Sequence, residues 1–109
     1  MSRTSDAVTD LLRRARARIA DPQRWTHGTT ARDGWGRATG PASVDAVAWC
    51  AVGSLRAEEV GLPAYEAAGL RGRGYRRLLA ATGRPPEDVN DYLGHEAVLA
   101  MFDEAIRRK

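Results

Sequence analysis

Residues 47–55 constrain the fold more than any other part of the chain, because this apolar run carries no charged side chain. Asp45 is the last charged residue before the run, and Arg56 is the first one after it. A helix that is apolar on all sides belongs in the interior of a protein. We therefore predict a buried central helix over 44–59. Gly53 within it costs about 1 kcal/mol relative to alanine, so we expect a neighbouring backbone to approach that position closely.

Apolar side chains at helical spacing predict a helix near each end of the chain, over 5–20 and over 95–107. The apolar positions are Val8, Leu11, Leu12, Ala15 and Ile19 in the first helix, and Val98, Leu99, Phe102 and Ile106 in the last. Each set lies on one side of its helix and is expected to face the core.

The segment 64–82 has helical spacing as well, but glycines at positions 69, 72 and 74 interrupt it. Because glycine weakens a helix, we expect two short helices there, separated by a loop at 71–74. This loop carries several arginines and is expected to be a solvated surface segment. Prolines at 85 and 86 then predict a short helix that stops near Gly94.

The segment 26–42 is rich in glycine, threonine and arginine and contains the tight-turn dipeptide Asp33-Gly34. Either a short β-hairpin or a structured loop fits this composition. Together the segments predict a mainly α-helical, single-domain protein over 1–109. The expected architecture is a compact bundle of four to five helices around the central one.

Composition narrows the function classes. The chain has a single cysteine, which excludes an internal disulfide and a multi-cysteine zinc site. Sixteen of its seventeen basic residues are arginine and the net charge is +3, but fourteen acidic residues dilute the positive field, so nucleic-acid binding is the least favoured partner class. No apolar run is long enough to cross a membrane, and residues 1–10 lack the apolar stretch of a secretory signal. We expect a cytoplasmic protein.

Four polar residues are candidates for a catalytic site. The first turn of the last helix places His95 on the side of the apolar stripe, so its ring is expected to face inward, and Asn90 and Asp91 precede it closely. Cys50, in the apolar run, becomes a nucleophile if His95 is adjacent to it and Asp91 or Asn90 orients the imidazole. The structural alternative makes Cys50 a small buried hydrophobe and gives His95 a hydrogen bond to a backbone group.

Trp25, His27, Gly28 and Trp49 are candidates for ligand binding, because Gly28 lets a ligand or another backbone come close to the loop. His27, Cys50, Asp91 and His95 do not have the spacing of metal ligands, so we predict no metal site. Signatures for phosphate loops, dinucleotides, zinc proteases and serine hydrolases are missing from the sequence, and we predict no cofactor.

The order of these motifs resembles a family of small uncharacterised bacterial and phage proteins that is common in actinobacteria. Its pattern has W-x-x-G after the first helix, W-C-x-x-G-A-L, and W-N-D ahead of H-x-E-V-L. The matching residues are Trp25 to Gly28, Trp49 to Leu55, Asn90-Asp91, and His95 to Leu99. The resemblance covers nearly the whole chain, from Val8 to Arg108, and it implies no activity.

The chain departs from this pattern at three places. Val89 stands where the family has tryptophan, Ser54 replaces alanine, and Glu96-Ala97 inverts the order after the histidine. The change at Val89 argues against an aromatic side chain lining a pocket there. The positions that the family pattern keeps are Trp25, Gly28, Cys50, Gly53, Asn90, Asp91 and His95.

Three functions remain open. The first is a binding or accessory module that recognises a partner protein, a second copy of the chain in a homodimer, or a small ligand. The second is a small enzyme in which Cys50, His95 and Asn90 or Asp91 transfer an acyl or related group. The third is a weak nucleic-acid-associated protein.

Overall fold

The helices near the two ends of the chain pack against each other through their apolar sides. A computed structural model of the protein describes residues 3–108, with helix α1 at Arg3–Arg18 and helix α5 at His95–Arg107. The buried side chains on these helices include Val8, Leu11, Leu12, Ala15, Val98, Met101, Phe102 and Ala105. Both helices are confirmed; of the apolar positions predicted to face the core, Leu99 and Ile106 are only partly buried.

The uncharged run 47–55 is divided between a strand and a helix, so the predicted helix over 44–59 is wrong in its first half. Strand β3 covers Ala46–Trp49, and helix α2 begins only at Ala51 and ends at Glu59. A short apolar run fits a strand as well as a helix, and here pairing with another segment decides for the strand. The helix α2 buries Leu55 and exposes Arg56, so it packs by one side.

Strand β3 completes a small antiparallel sheet. Strand β1 covers Ala31–Asp33 and strand β2 covers Ala38–Thr39, and the strand order is β2-β1-β3. The sequence of 26–42 allowed either a short β-hairpin or a structured loop, and strands β1 and β2 form the hairpin. Its turn is fixed by Asp33, whose carboxylate accepts hydrogen bonds from the backbone N–H groups of Trp35 and Arg37.

Helix α3 covers Ala64–Thr82 as one element, with a left-handed φ of 93° at Gly69, so the predicted loop at 71–74 and the two short helices around it are wrong. The reason is packing. A Cβ atom at Gly74 would lie 3.6–3.7 Å from the side chains of Leu55, Leu11 and Leu12, which shows how closely α3 approaches α1 and α2. Tertiary contact outweighs the poor helix propensity of the glycines. The helix ends at Gly83, which has a left-handed φ of 71°.

Arg77, on α3, forms hydrogen bonds to helices α1 and α5. Its guanidinium donates to the Thr9 hydroxyl over 2.9 Å and to the backbone oxygen of Ala105 over 2.6 Å. It thereby supplies a donor to a carbonyl at the end of α5, where helical carbonyls lack intrahelical partners.

The segment before α5 forms a short helix α4, Pro86–Asp88, and then a π-helical turn, Val89–Leu93. Gly94, with φ of 93°, separates this turn from α5. The prediction of a short helix that stops near Gly94 is confirmed. Within residues 3–108, none of the helices combines the length and apolar composition that crossing a bilayer requires.

Candidate functional site

Asn90 lies in the π-helical turn and is completely buried. Its Oδ1 atom accepts hydrogen bonds from the indole Nε1 of Trp25 over 2.8 Å and from the backbone N–H of Ala51 over 2.9 Å. Its Nδ2 atom donates to the Thr26 carbonyl over 3.0 Å and to the Asp91 carboxylate over 3.1 Å. All four hydrogen-bonding positions of the amide are therefore used. We call these five residues the Asn90 cluster.

The Asn90 cluster connects three parts of the chain that are far apart in sequence. Besides accepting from Asn90, Asp91 Oδ1 accepts from the backbone N–H of Gly28 over 3.1 Å. The loop at 25–28, the first residue of α2 and the π-helical turn are thereby held together by two adjacent side chains. π-Helical turns are rare and occur often at functional sites.

Cys50 is the N-cap residue of α2, directly before the Ala51 that Asn90 binds. Its sulfur accepts a hydrogen bond from the backbone N–H of Gly53 over 3.2 Å, which satisfies a donor that the helix cannot satisfy itself. Cys50 as a whole is 7% exposed. Serine and aspartate are common N-cap residues, whereas in α2 a cysteine sulfur takes this role.

Gly53 permits the β1 end of the loop to lie against α2. A Cβ atom at this position would lie 1.9 Å from the backbone oxygen of Thr30, closer than any real contact. The same oxygen accepts from the backbone N–H of Cys50 over 3.1 Å. The expected close approach of a neighbouring backbone to Gly53 is confirmed.

A cleft of about 410 Å³ opens beside Cys50. Its walls come from the loop at 28–30, the first turns of α2, the middle of α3, and the α4 segment with its π-helical turn. The lining residues are Gly28, Thr29, Thr30, Cys50, Val52, Arg56, Tyr75, Glu87, Asn90 and Asp91. We call this the Cys50 cleft. Its volume lies in the range of small-molecule sites.

A family model described as a family of unknown function, DUF6197, matches residues 3–108. The chain belongs to DUF6197. This match confirms that the chain is a member of a family of unknown function, as the motif resemblance implied. Among the curated proteins and among the solved structures, none matches the chain significantly.

In this DUF6197 chain the residues predicted for catalysis are only partly brought together. Cys50, Asn90 and Asp91 line the Cys50 cleft, together with Gly28 from the predicted ligand-binding set. His95 is inward-facing and half-buried, as expected, but its Nε2 atom lies 2.6 Å from the backbone oxygen of Ile19. The histidine therefore follows the structural alternative, a hydrogen bond to backbone. The sulfur of Cys50 receives its hydrogen bond from Gly53 and not from an imidazole.

The other aromatic candidates lie outside the lining of the cleft. The Trp25 ring is close to two histidine rings, with centroids 5.3 Å from His95 and 5.7 Å from His27. Trp49 lies on β3, donates from Nε1 to the Pro41 carbonyl, and is covered by the Arg18 guanidinium 4.5 Å from its ring centroid. Both indoles are engaged within the protein and hold the sheet to the rest of the DUF6197 fold.

The surroundings of Cys50 disfavour the charged form of its thiol. Burial is the main cause that raises the pKa of Cys50, and the negative charge of Asp91 acts in the same direction. The backbone N–H of Gly53 lowers it but does not outweigh burial. A raised pKa reduces the thiolate fraction, and the thiolate is the nucleophilic form.

Sequence reasoning missed six residues that line the cleft: Thr29, Thr30, Val52, Arg56, Tyr75 and Glu87. The hydroxyl of Tyr75 donates to Glu87, with 2.9 Å to Oε1 and 3.0 Å to Oε2. Partial burial and this carboxylate raise the pKa of Tyr75. Of these six, Arg56 had a sequence signal as the first charge after the uncharged run, and Val52 lies within that run. Across residues 3–108, no three His, Cys, Asp or Glu side chains are grouped to hold a metal ion.

Proposed function

We propose that the protein is a binding module whose Cys50 cleft holds a small polar ligand. The observation that carries this proposal is the convergence of four distant segments on one cleft that contains both charged and hydrogen-bonding groups. The fully hydrogen-bonded Asn90 amide supports it, because a rigid backing pre-organises a site and lowers the entropic cost of binding.

The enzymatic alternative has less support. It needs a base beside the thiol, and the hydrogen-bond partner of His95 Nε2 is the Ile19 carbonyl. It also needs a thiolate, whereas burial raises the pKa of Cys50. Without a base, a neutral cysteine at a helix start serves as a cap and as part of a cleft wall.

The test is a fragment screen followed by amide shifts in NMR spectra. Fragments that bind are expected to shift the amides of Gly28, Thr30, Val52 and Asp91, while the amides of the turn at Gly34 and Trp35 stay unchanged. If no fragment in the screen shifts the amides of the first group, the result contradicts the proposal of a binding module.

A matched pair of variants checks the location. Val52→Trp places an indole into the cleft and is expected to abolish binding while the helical circular dichroism signal is retained. Val47→Trp adds the same group on β3, where the valine is 48% exposed and outside the cleft lining, and should bind like the parent. If both variants bind the fragments equally well, the binding site is not the Cys50 cleft.

A further inference from the structure

A second hollow adjoins the Cys50 cleft. It has a volume of about 300 Å³ and is lined by Leu55, Arg71 and Gly72 together with Val52, Arg56 and Tyr75. The last three residues also line the Cys50 cleft. Arg56 therefore lies at the junction of two adjoining spaces, within reach of a ligand that occupies either of them.

Arg56 has an unused positive charge. Neighbouring cations are neutralised by acids: Arg71 pairs with Glu59 over 2.8 Å, and Arg18 pairs with Glu58 over 2.7 Å. Among the side chains that the structure describes, Arg56 forms neither an ion pair nor a hydrogen bond. A guanidinium without a partner at the edge of a cleft suits a carboxylate, which it can bind through two parallel N–H groups.

Asp91 supplies a negative charge that is only half used. Its Oδ1 atom accepts from Gly28 and from Asn90, so the carboxylate is fixed in position. Across the described residues, no donor binds its Oδ2 atom. The third charged group of the cleft, Glu87, is engaged by the Tyr75 hydroxyl through both oxygens.

We infer that the ligand of the cleft is an amino-carboxylate, whose ammonium group binds Asp91 and whose carboxylate binds Arg56. The inference rests on the proposed binding function. The two protein charges have opposite sign and form no ion pair with each other. A ligand with one charge would pair with only one of them, whereas a ligand with both charges pairs with both.

A series of amino acids of increasing length tests the inference. The probes are glycine, β-alanine, γ-aminobutyrate and ε-aminocaproate, with propylamine and butyrate as the single-charge analogues. Affinity is measured by amide shifts of Gly28 and Val52. We expect one length to bind best and to bind about tenfold more tightly than either analogue, because a charged hydrogen bond is gained.

Two charge-neutralising variants assign the ends. With Arg56→Gln, the best probe should lose about tenfold in affinity while propylamine is unaffected. With Asp91→Asn, which retains an oxygen for Gly28 and Asn90, the same loss is expected while butyrate is unaffected. Arg73→Gln and Asp45→Asn change the net charge equally outside the cleft and should leave the affinity unchanged. Circular dichroism confirms that each variant folds.

Other outcomes overturn the inference in distinguishable ways. If propylamine or butyrate alone binds as tightly as the best amino acid, the ligand is a simple cation or a simple anion. If none of these probes binds while other fragments shift the cleft amides, the amino-carboxylate class is wrong and the binding function stands. If no fragment shifts those amides, both fail.

Discussion

Two regions of the molecule are held together by different kinds of contact. Helices α1, α3 and α5 meet through aliphatic and aromatic side chains such as Leu12, Leu78 and Phe102, all fully buried. The loop at 25–28, the first residue of α2 and the π-helical turn are joined through single donors and acceptors, above all those of Asn90. Apolar burial has no preferred direction and many residues share it, whereas each hydrogen bond needs one specific partner. The helical region should therefore tolerate change gradually, and the Asn90 region should not.

The largest effect is expected from Asn90→Ala. The substitution leaves the buried donors of Trp25 and Ala51 without an acceptor, and each such loss costs about 1–3 kcal/mol. We expect about 4 kcal/mol less stability toward urea, measured by circular dichroism. In addition, hydrogen exchange at the Ala51 amide should accelerate more than exchange in α1.

Met101→Ala in the helical region is the matched comparison for Asn90→Ala. It removes a buried side chain at a cost of about 2–5 kcal/mol, and it should accelerate exchange throughout the protein without singling out Ala51. A cost below about 1 kcal/mol for Asn90→Ala would contradict the contrast between the two regions.

The next largest effect is expected from Gly53→Ala, where the new Cβ atom would lie 1.9 Å from the Thr30 oxygen. Displacing this backbone should cost about 2 kcal/mol in urea unfolding even after the gain in helix propensity. Gly72→Ala is the control in the helical region, since its nearest neighbour is the Arg76 guanidinium at 3.8 Å. It should be stabilised by about 0.5–1 kcal/mol. If both substitutions change the free energy of unfolding in the same direction, the predicted difference between the two regions is wrong.

Arg77→Met tests the polar contacts that Arg77 makes within the otherwise apolar packing of α1, α3 and α5. The variant loses the hydrogen bonds to Thr9 and to the Ala105 carbonyl but retains much of the aliphatic stem. We expect a loss of about 1–2 kcal/mol in thermal or urea unfolding. Arg73→Met, at an exposed position on the same helix, should stay within about 0.5 kcal/mol of the parent. A neutral Arg77→Met would mean that apolar packing alone holds these helices.

The smallest effect concerns the thiol of Cys50. Burial raises its pKa above the ordinary value of 9.0, so the rate of alkylation by iodoacetamide should reach half of its maximum only above that pH. In urea the same thiol should titrate at its ordinary value. Because the folded pKa is the higher one, this group contributes stability below pH 9.0 that is lost as the pH rises through the folded pKa.

Asp91→Asn sharpens the alkylation experiment, since the charge of Asp91 contributes to the raised pKa of Cys50. The alkylation profile of the variant should move toward lower pH. Half-maximal alkylation of the parent below 9.0 would favour the enzymatic alternative over the binding module.

The sequence predicts the helical region well, and the reason is physical. Leu11, Ile19, Val98 and Phe102 recur with the helical period, and the structure buries all of them. The change from strand β3 to helix α2 at Cys50 could not be predicted, because the spacing of apolar residues in the run 47–55 does not distinguish a strand from a helix. The continuous α3 was missed because Gly74 is decided by its neighbours Leu11 and Leu55, not by its propensity.

The candidate site is predictable only as a set of residue types. The motifs pointed to Cys50, Asn90 and Asp91, and these residues do line one cleft. The roles depend on partners that no spacing reveals: Asn90 binds Trp25, 65 positions away, rather than an imidazole. Arg56 and Tyr75 enter the cleft from α2 and α3, which a one-dimensional pattern cannot bring together.

The positions of the tryptophans give the protein a built-in optical reporter. Its three indoles are Trp25, Trp35 and Trp49, so all lie within the loop and sheet region and none in the helices α1, α3 or α5. Intrinsic fluorescence therefore observes one region while far-ultraviolet ellipticity observes mainly the other. Replacing Trp35, which is 84% exposed, would leave emission from the two shielded rings alone. Whether the two regions melt as one cooperative unit can then be read from a single unlabelled sample, by comparing the two curves.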